Sequence, residues 1–128
     1  MERQLEMSKN LEVTMLLDFY GDMLTEKQKD VIDLYYNQDL SLAEIADEVG
    51  ISRQGVRDSI KRGEAVLFEM EGRLGFLKNY RLSEKAAEKI SALAQEIIDI
   101  NRKQNNIGII EIKAADIIKE VQALHQEN

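Results

Sequence analysis

The chain has no cysteine and no proline, a single histidine, and aromatic residues at only 5%. Without cysteine, disulfides and thiolate metal sites are excluded, and a zinc finger with them. Without proline, and with few alternating β-branched runs, little is available to fix turns or build a sheet. The expectation is an all-α protein. No apolar run approaches the roughly 18 to 20 residues that a membrane span needs, so no membrane insertion is expected. The opening MERQLEMSKNLE lacks the basic-then-apolar layout of a secretory signal, and a cytoplasmic location follows as an expectation.

Catalytic constellations are also scarce. Asp18/Asp22 and Glu44/Asp47/Glu48 can be drawn as carboxylate pairs, but on helices such groups read as solvated faces. The lone His125 lies close to the end and reads as exposed. No glycine loop, nucleophile elbow or metal-ligand spacing is present. Hence no enzyme activity, catalytic residue, metal or cofactor is expected.

What is present is charge, unevenly placed on a chain of net charge -7. Residues 1–51 carry 4 basic against 12 acidic side chains, a net -8. Residues 52–81 carry 7 against 4, a net +3, and residues 82–128 carry 6 against 8, a net -2. The acidic average therefore hides one basic segment.

That segment follows a recognisable pattern. Leu5 to Tyr20 reads as a helix stopped by Gly21. Thr25 and Gln28 form a capping box for a second helix that carries Val31, Ile32, Leu34 and Tyr35 and ends in the polar turn at 37–39. Ser41 and Glu44 form another box, followed by Leu42, Ile45, Ala46 and Val49 at helical spacing. Gly50 can take the positive φ that ends this helix, and Ser52 opens the next as N-cap only two residues later. Two helices joined so tightly must cross steeply, which is the helix-turn-helix geometry. Ala46 lets the helices approach, and Ile51 and Val56 fill the space between them.

In the second of these helices, Val56, Ile60, Gly63 and Leu67 share one face, which is assigned as buried. The opposite face gathers Gln54, Asp58 and Lys61, flanked by Arg57 and Arg62, with Arg53 near the helix start. Free N–H groups and the helix dipole there favour a phosphate. Glutamine pairs two-pronged with adenine and arginine with guanine, while Lys61 and Arg62 suit phosphates. The candidate nucleic-acid-binding residues are therefore Ser52, Arg53, Gln54, Arg57, Lys61 and Arg62. Asp58 opposes them by its charge. Gly55 and Gly63 each cost about 1 kcal/mol in a helix interior; the buried face accounts for Gly63, and no such account exists for Gly55.

Beyond the glycine-containing GRLGFLKNY at 72–80, residues 83–100 read as a helix capped by Ser83. Ala86, Ile90, Leu93, Ile97 and Ile100 recur there with 4-3-4-3 spacing, and Ile110, Ala114, Ile117, Val121 and Leu124 repeat it after a polar loop at 101–106. The two stripes can close on each other as a hairpin, on the first helix, or on a second copy. Ile98, Ile109, Ile112 and Ile118 widen them, which favours additional partners.

Residues 25–70, with SLAEIADEVGISRQGVRDSIKR at their centre, resemble region 4 of bacterial sigma factors. In that family the residues matching Arg53, Gln54 and Arg57 touch the promoter. The chain departs where Gly55 replaces the usual Arg and Asp58 the usual Gln. It has no room for the polymerase-binding region 2, so a working sigma factor is not expected. LLDFYGDMLTEKQ at 16–28, ISRQGVRDSIKR and GRLGF at 72–76 resemble the YlxM-like family of small helix-turn-helix proteins. That resemblance implies a regulatory protein linked to the signal recognition particle pathway.

The expected architecture is a sigma-region-4-like helix-turn-helix domain over 1–81 and a C-terminal helical hairpin over 82–128, a packing or dimerisation element. Two functions fit. One is a nucleic-acid-binding regulator, acting on DNA or the particle's RNA, as a homodimer through its C-terminal helices. The other is an interaction module that keeps the helix-turn-helix as a scaffold and docks the particle's GTPase, its receptor or its RNA.

Overall fold

A computed structural model describes residues 2–126 of the chain, and the side chains of residues 11–124. The described residues form six α-helices and one short 3-10 turn, with no strand. The helices are α1 (Glu2–Tyr20), α2 (Glu26–Tyr36), α3 (Leu42–Val49), α4 (Arg53–Leu74), α5 (Phe76–Lys103) and α6 (Gly108–Gln126). The turn, Gly21–Met23, separates α1 from α2. The all-α expectation holds. Two compact units divide between Lys78 and Asn79.

In the first unit, both predicted capping boxes form. The Gln28 N–H donates to Thr25 Oγ1 at 3.1 Å, and the Thr25 N–H donates to Gln28 Oε1 at 3.1 Å. Glu44 N–H and Ser41 Oγ make the matching bond at 3.1 Å. Each box satisfies two of the N–H groups that a helix start leaves unpaired.

Two apolar clusters hold the unit. Val13, Leu16, Leu17 and Tyr20 of α1 pack with Ile32, Leu67 and Leu77. Val31, Ile45, Ala46, Val56 and Ile60 pack where α2, α3 and α4 meet. Leu16, Ile45 and Val56 are fully shielded from solvent, each such side chain contributing about 1.5–3 kcal/mol. Between α2 and α4, the Tyr36 hydroxyl donates to the Glu64 carboxylate.

In the second unit, α5 and α6 pair within one chain. Ala94 and Ile98 pack on Ala114, with Ile118 against them, and Ala87 and Val121 are also buried. Asn101, the buried polar residue of this unit, donates from Nδ2 to the Ile107 carbonyl at 2.8 Å and accepts from the Ile107 N–H at 2.9 Å. An Arg102–Glu111 ion pair flanks the loop.

Two expectations for this region are corrected. Ser83 caps nothing: α5 is already helical from Phe76, and Ser83 lies inside it. The interruption is Gly75 alone, in the left-handed conformation. Nor does the hairpin close on the stripe Ala86, Ile90, Leu93, Ile97 and Ile100, all of which are exposed. It closes on the neighbouring face, where small Ala87, Ala94 and Ala114 let the helix backbones come close. On α6, Ala114 and Val121 are buried as expected, whereas Ile110, Ile117 and Leu124 are exposed. The side chain of His125 lies outside the described residues.

Candidate nucleic-acid interface

The site is built on the turn between α3 and α4. Gly50 adopts φ 77° and closes α3 by donating its N–H to the Ala46 carbonyl at 2.9 Å. Ile51 N–H reaches the same carbonyl at 3.2 Å, so one residue in a conformation open mainly to glycine reverses the chain. Ser52 then caps α4, its hydroxyl oxygen accepting from the Gly55 N–H at 3.0 Å. Ala46 and Val56 are buried and Ile51 packs beside them, as the sequence pattern requires.

The register of α4 is fixed from below. Val56, Ile60, Gly63 and Leu67 are all buried. A Cβ on Gly63 would lie 2.3 Å from Ile32 Cδ1, so α2 crosses α4 closely enough that any larger residue would force the Ile32 side chain to shift. Gly55, unexplained by sequence, also has neighbours: a Cβ there would meet Ser52 Oγ at 3.2 Å and Ile51 Cδ1 at 3.5 Å. Gln28 and Glu44 hold the same position in the other two caps, so the cap itself does not require glycine there.

With that face buried, Ser52, Arg53, Gln54, Arg57, Lys61 and Arg62 all come out exposed on one helix. Arg53, Arg57, Lys61 and Arg62 form no ion pair with any described residue. Four cations are thus held on one helix without an ion pair to any described carboxylate, and Asp58 is the one negative charge among them, an arrangement whose net positive charge suits a polyanion. The cap leaves the Ser52 hydroxyl proton free to donate outward.

Two features were not read from the sequence. Gln54 Nε2 donates to Asp58 Oδ1 at 3.0 Å, so the aspartate holds the amide that two-pronged adenine pairing requires. Both residues fall on the outward face by sequence, and their i, i+4 spacing is the signal that pairs them. Beside α4 lies a shallow depression of about 370 Å³ lined by Lys27, Gln28, Asp58, Ser59 and Arg62 among others. It brings Lys27, from the first turn of α2, alongside the cations of α4. Only tertiary packing could have shown this. Asp18, Glu44, Asp47 and Glu48 are exposed on helix surfaces, and Asp22, exposed in the turn after α1, is paired with Lys29 at 3.1 Å.

Known proteins share this arrangement of sequence. Residues 7–107 match the family model described as "Putative helix-turn-helix protein, YlxM / p13 like". A UPF0122 protein of Acetivibrio thermocellus is 41% identical over 121 residues, covering 94% of this chain and 97% of the relative. One from Clostridium kluyveri is 51% identical over 72 residues, covering 56% and 65%. One from Bacillus thuringiensis is 39% identical over 101 residues, covering 79% and 92%. The match spans α2, α3, the turn and all of α4, and the chain belongs to the YlxM/p13-like helix-turn-helix family.

Proposed function

We propose that the chain is a cytoplasmic nucleic-acid-binding regulator in which α4 meets DNA or the signal recognition particle's RNA. The observation that carries this reading is the exposed, unpaired set Arg53, Arg57, Lys61 and Arg62 directly after a helix-turn-helix turn. Arg53 and Ser52 suit a phosphate at the helix start, Lys61 and Arg62 suit phosphates further along, and Gln54 and Arg57 face base edges. Residues 1–81 take the recognition role. Residues 82–128 take that of joining two copies, which supplies two recognition helices where one binds weakly. The link to the particle rests on the family resemblance alone.

Fluorescence anisotropy with labelled duplex DNA and with the particle's RNA tests the reading. Binding is expected to fall steeply with salt, and Arg57→Ala to weaken it severalfold. Association that ignores salt, or no association with either ligand at low ionic strength, rejects it.

A second reading is favoured by Asp58, which sits among the cations and ties up Gln54. Here the helix-turn-helix is a scaffold, and the partner is the particle's GTPase, its receptor or its RNA. Retention of the purified GTPase or receptor, unaffected by Arg57→Ala, supports this second reading over the first.

A further inference from the structure

The stripe for which the sequence left the hairpin, the first helix or a second copy as partner is not covered by the hairpin. Ile90, Leu93, Ile97 and Ile100 are 44–56% exposed, and they keep the 3-4-3 spacing of a left-handed helical seam. Ile110, Ile117 and Leu124 follow one another at seven-residue intervals on α6 and are exposed too. The two rows lie on the same side of the hairpin. Ile97 and Ile100 from α5 and Ile107 and Ile110 from the α6 side line, together with Asn101, Gln104 and Asn105 at the loop, a single mostly apolar hollow of about 250 Å³. On the other side, the hollow between the helices is lined by Glu84, Glu88, Ser91 and Gln122 with Ala87 and Val121. One side of the hairpin is therefore apolar and the other largely polar.

We infer that this apolar side is a homodimer interface in which α5 pairs antiparallel with α5 of a second copy, making a four-helix bundle. The inference deepens the two-copy part of the function proposed above. It does not depend on nucleic acid. Three observations select a second copy as the occupant. The heptad spacing calls for an α-helix of the same period, which this face itself provides. The exposed aliphatic surface is on the order of 700 Å² per chain, near the ~800 Å² per side of a standard interface. The third observation is charge. Counting Ile90 and Ile97 as one core position of the heptad, the residues immediately before them are Lys89 and Glu96, both exposed. In the two-fold antiparallel register that sets Ile90 against Leu93 of the second copy, these flanking positions face each other. Lys89 of each copy then meets Glu96 of the other, giving two attractive pairs related by symmetry. The hollow at Ile97, Ile100, Ile107 and Ile110 is a hole for an aliphatic knob of the second copy.

The test is the mass of the full chain in solution, by sedimentation equilibrium without nucleic acid, so that its outcome is independent of the anisotropy experiment. The wild type is expected at twice the 14.7 kDa chain mass. Leu93→Glu is expected at the single-chain mass with unchanged helical circular dichroism, because Leu93 is exposed within the chain. Lys89→Glu and Glu96→Lys each turn two attractive pairs into repulsive ones and should weaken self-association about tenfold. Mixed in equal amounts, these two variants pair attractively again and should recover the dimer. A monomeric wild type overturns the inference. A dimer that survives Leu93→Glu, or that neither charge reversal affects, overturns it as well.

Discussion

The Tyr20 hydroxyl donates to the Glu71 carboxylate at 2.7 Å, across 51 residues of sequence. The same carboxylate accepts the Leu77 N–H at 3.0 Å and the Lys78 N–H at 3.2 Å, while the Tyr20 oxygen accepts the Phe76 N–H at 3.1 Å. The Tyr20 and Phe76 rings stack with centroids 5.6 Å apart. Two side chains from α1 and α4 thus satisfy the first three N–H groups of α5, for which Gly75, the residue just before the helix, has no side chain to offer. Glu71→Ala should cost about 2–3 kcal/mol by loss of charge-assisted bonds, and Tyr20→Phe about 1–2 kcal/mol. Urea unfolding midpoints measure both. Equal stability of Glu71→Ala and the parent would show the cap to be dispensable.

Alkaline pH should attack the same contacts. Burial, reinforced by the bond to Glu71, raises the Tyr20 hydroxyl above its ordinary value and outweighs the lowering effect of the Phe76 N–H. Burial and Glu64 do the same, more strongly, for Tyr36. A raised value in the folded state means that the unfolded chain loses these protons first. Stability is therefore fully present below about pH 10 and declines as pH climbs from there through the raised values. Tyrosinate absorbance followed against pH should show these phenols ionising late, together with loss of helical circular dichroism. Complete ionisation near pH 10 with the helices intact would contradict the assignment.

Gly63→Ala should destabilise by about 1–3 kcal/mol, since its new methyl group overlaps Ile32 Cδ1. Ile32→Val removes that Cδ1, so the double variant should be more stable than the two single costs imply. Additive costs in chemical denaturation would mean that the helices separate instead of sharing a close crossing.

Asp58→Asn removes a negative charge from the middle of the α4 face and weakens the hold on Gln54. Under the nucleic-acid reading, affinity for DNA or RNA should rise severalfold in the anisotropy assay. A fall, with loss of a protein partner in the pull-down, would place Asp58 in a protein interface.

Much of the first unit is legible in the sequence because its signals are local. The Thr25 and Ser41 boxes, the Gly50 turn and the Val56–Ile60–Gly63–Leu67 face depend on neighbours within a few residues. The start of α5 is not legible, because its cap is Glu71 acting with Tyr20 from far upstream. Ser83 followed by Glu84 offered a local cap signal that this distant one outweighed. The face that closes the hairpin is not legible for another reason. Hydrophobic spacing selects the largest aliphatics, yet α5 and α6 meet through alanines, where close backbone approach governs. At the candidate site, exposure of Arg53, Arg57, Lys61 and Arg62 followed from the opposite buried face. The nearness of Lys27 came only with the packing of α2 on α4.

Asn101 and Ile107 bear on the spacing of the hairpin loop. One side chain meets both the N–H and the carbonyl of a residue six positions on, much as a strand neighbour would. The pair therefore acts as a gauge of chain length. One residue added or removed between them would break both bonds while altering neither residue. Length changes, and inserted tags, are expected to be tolerated elsewhere before they are tolerated here.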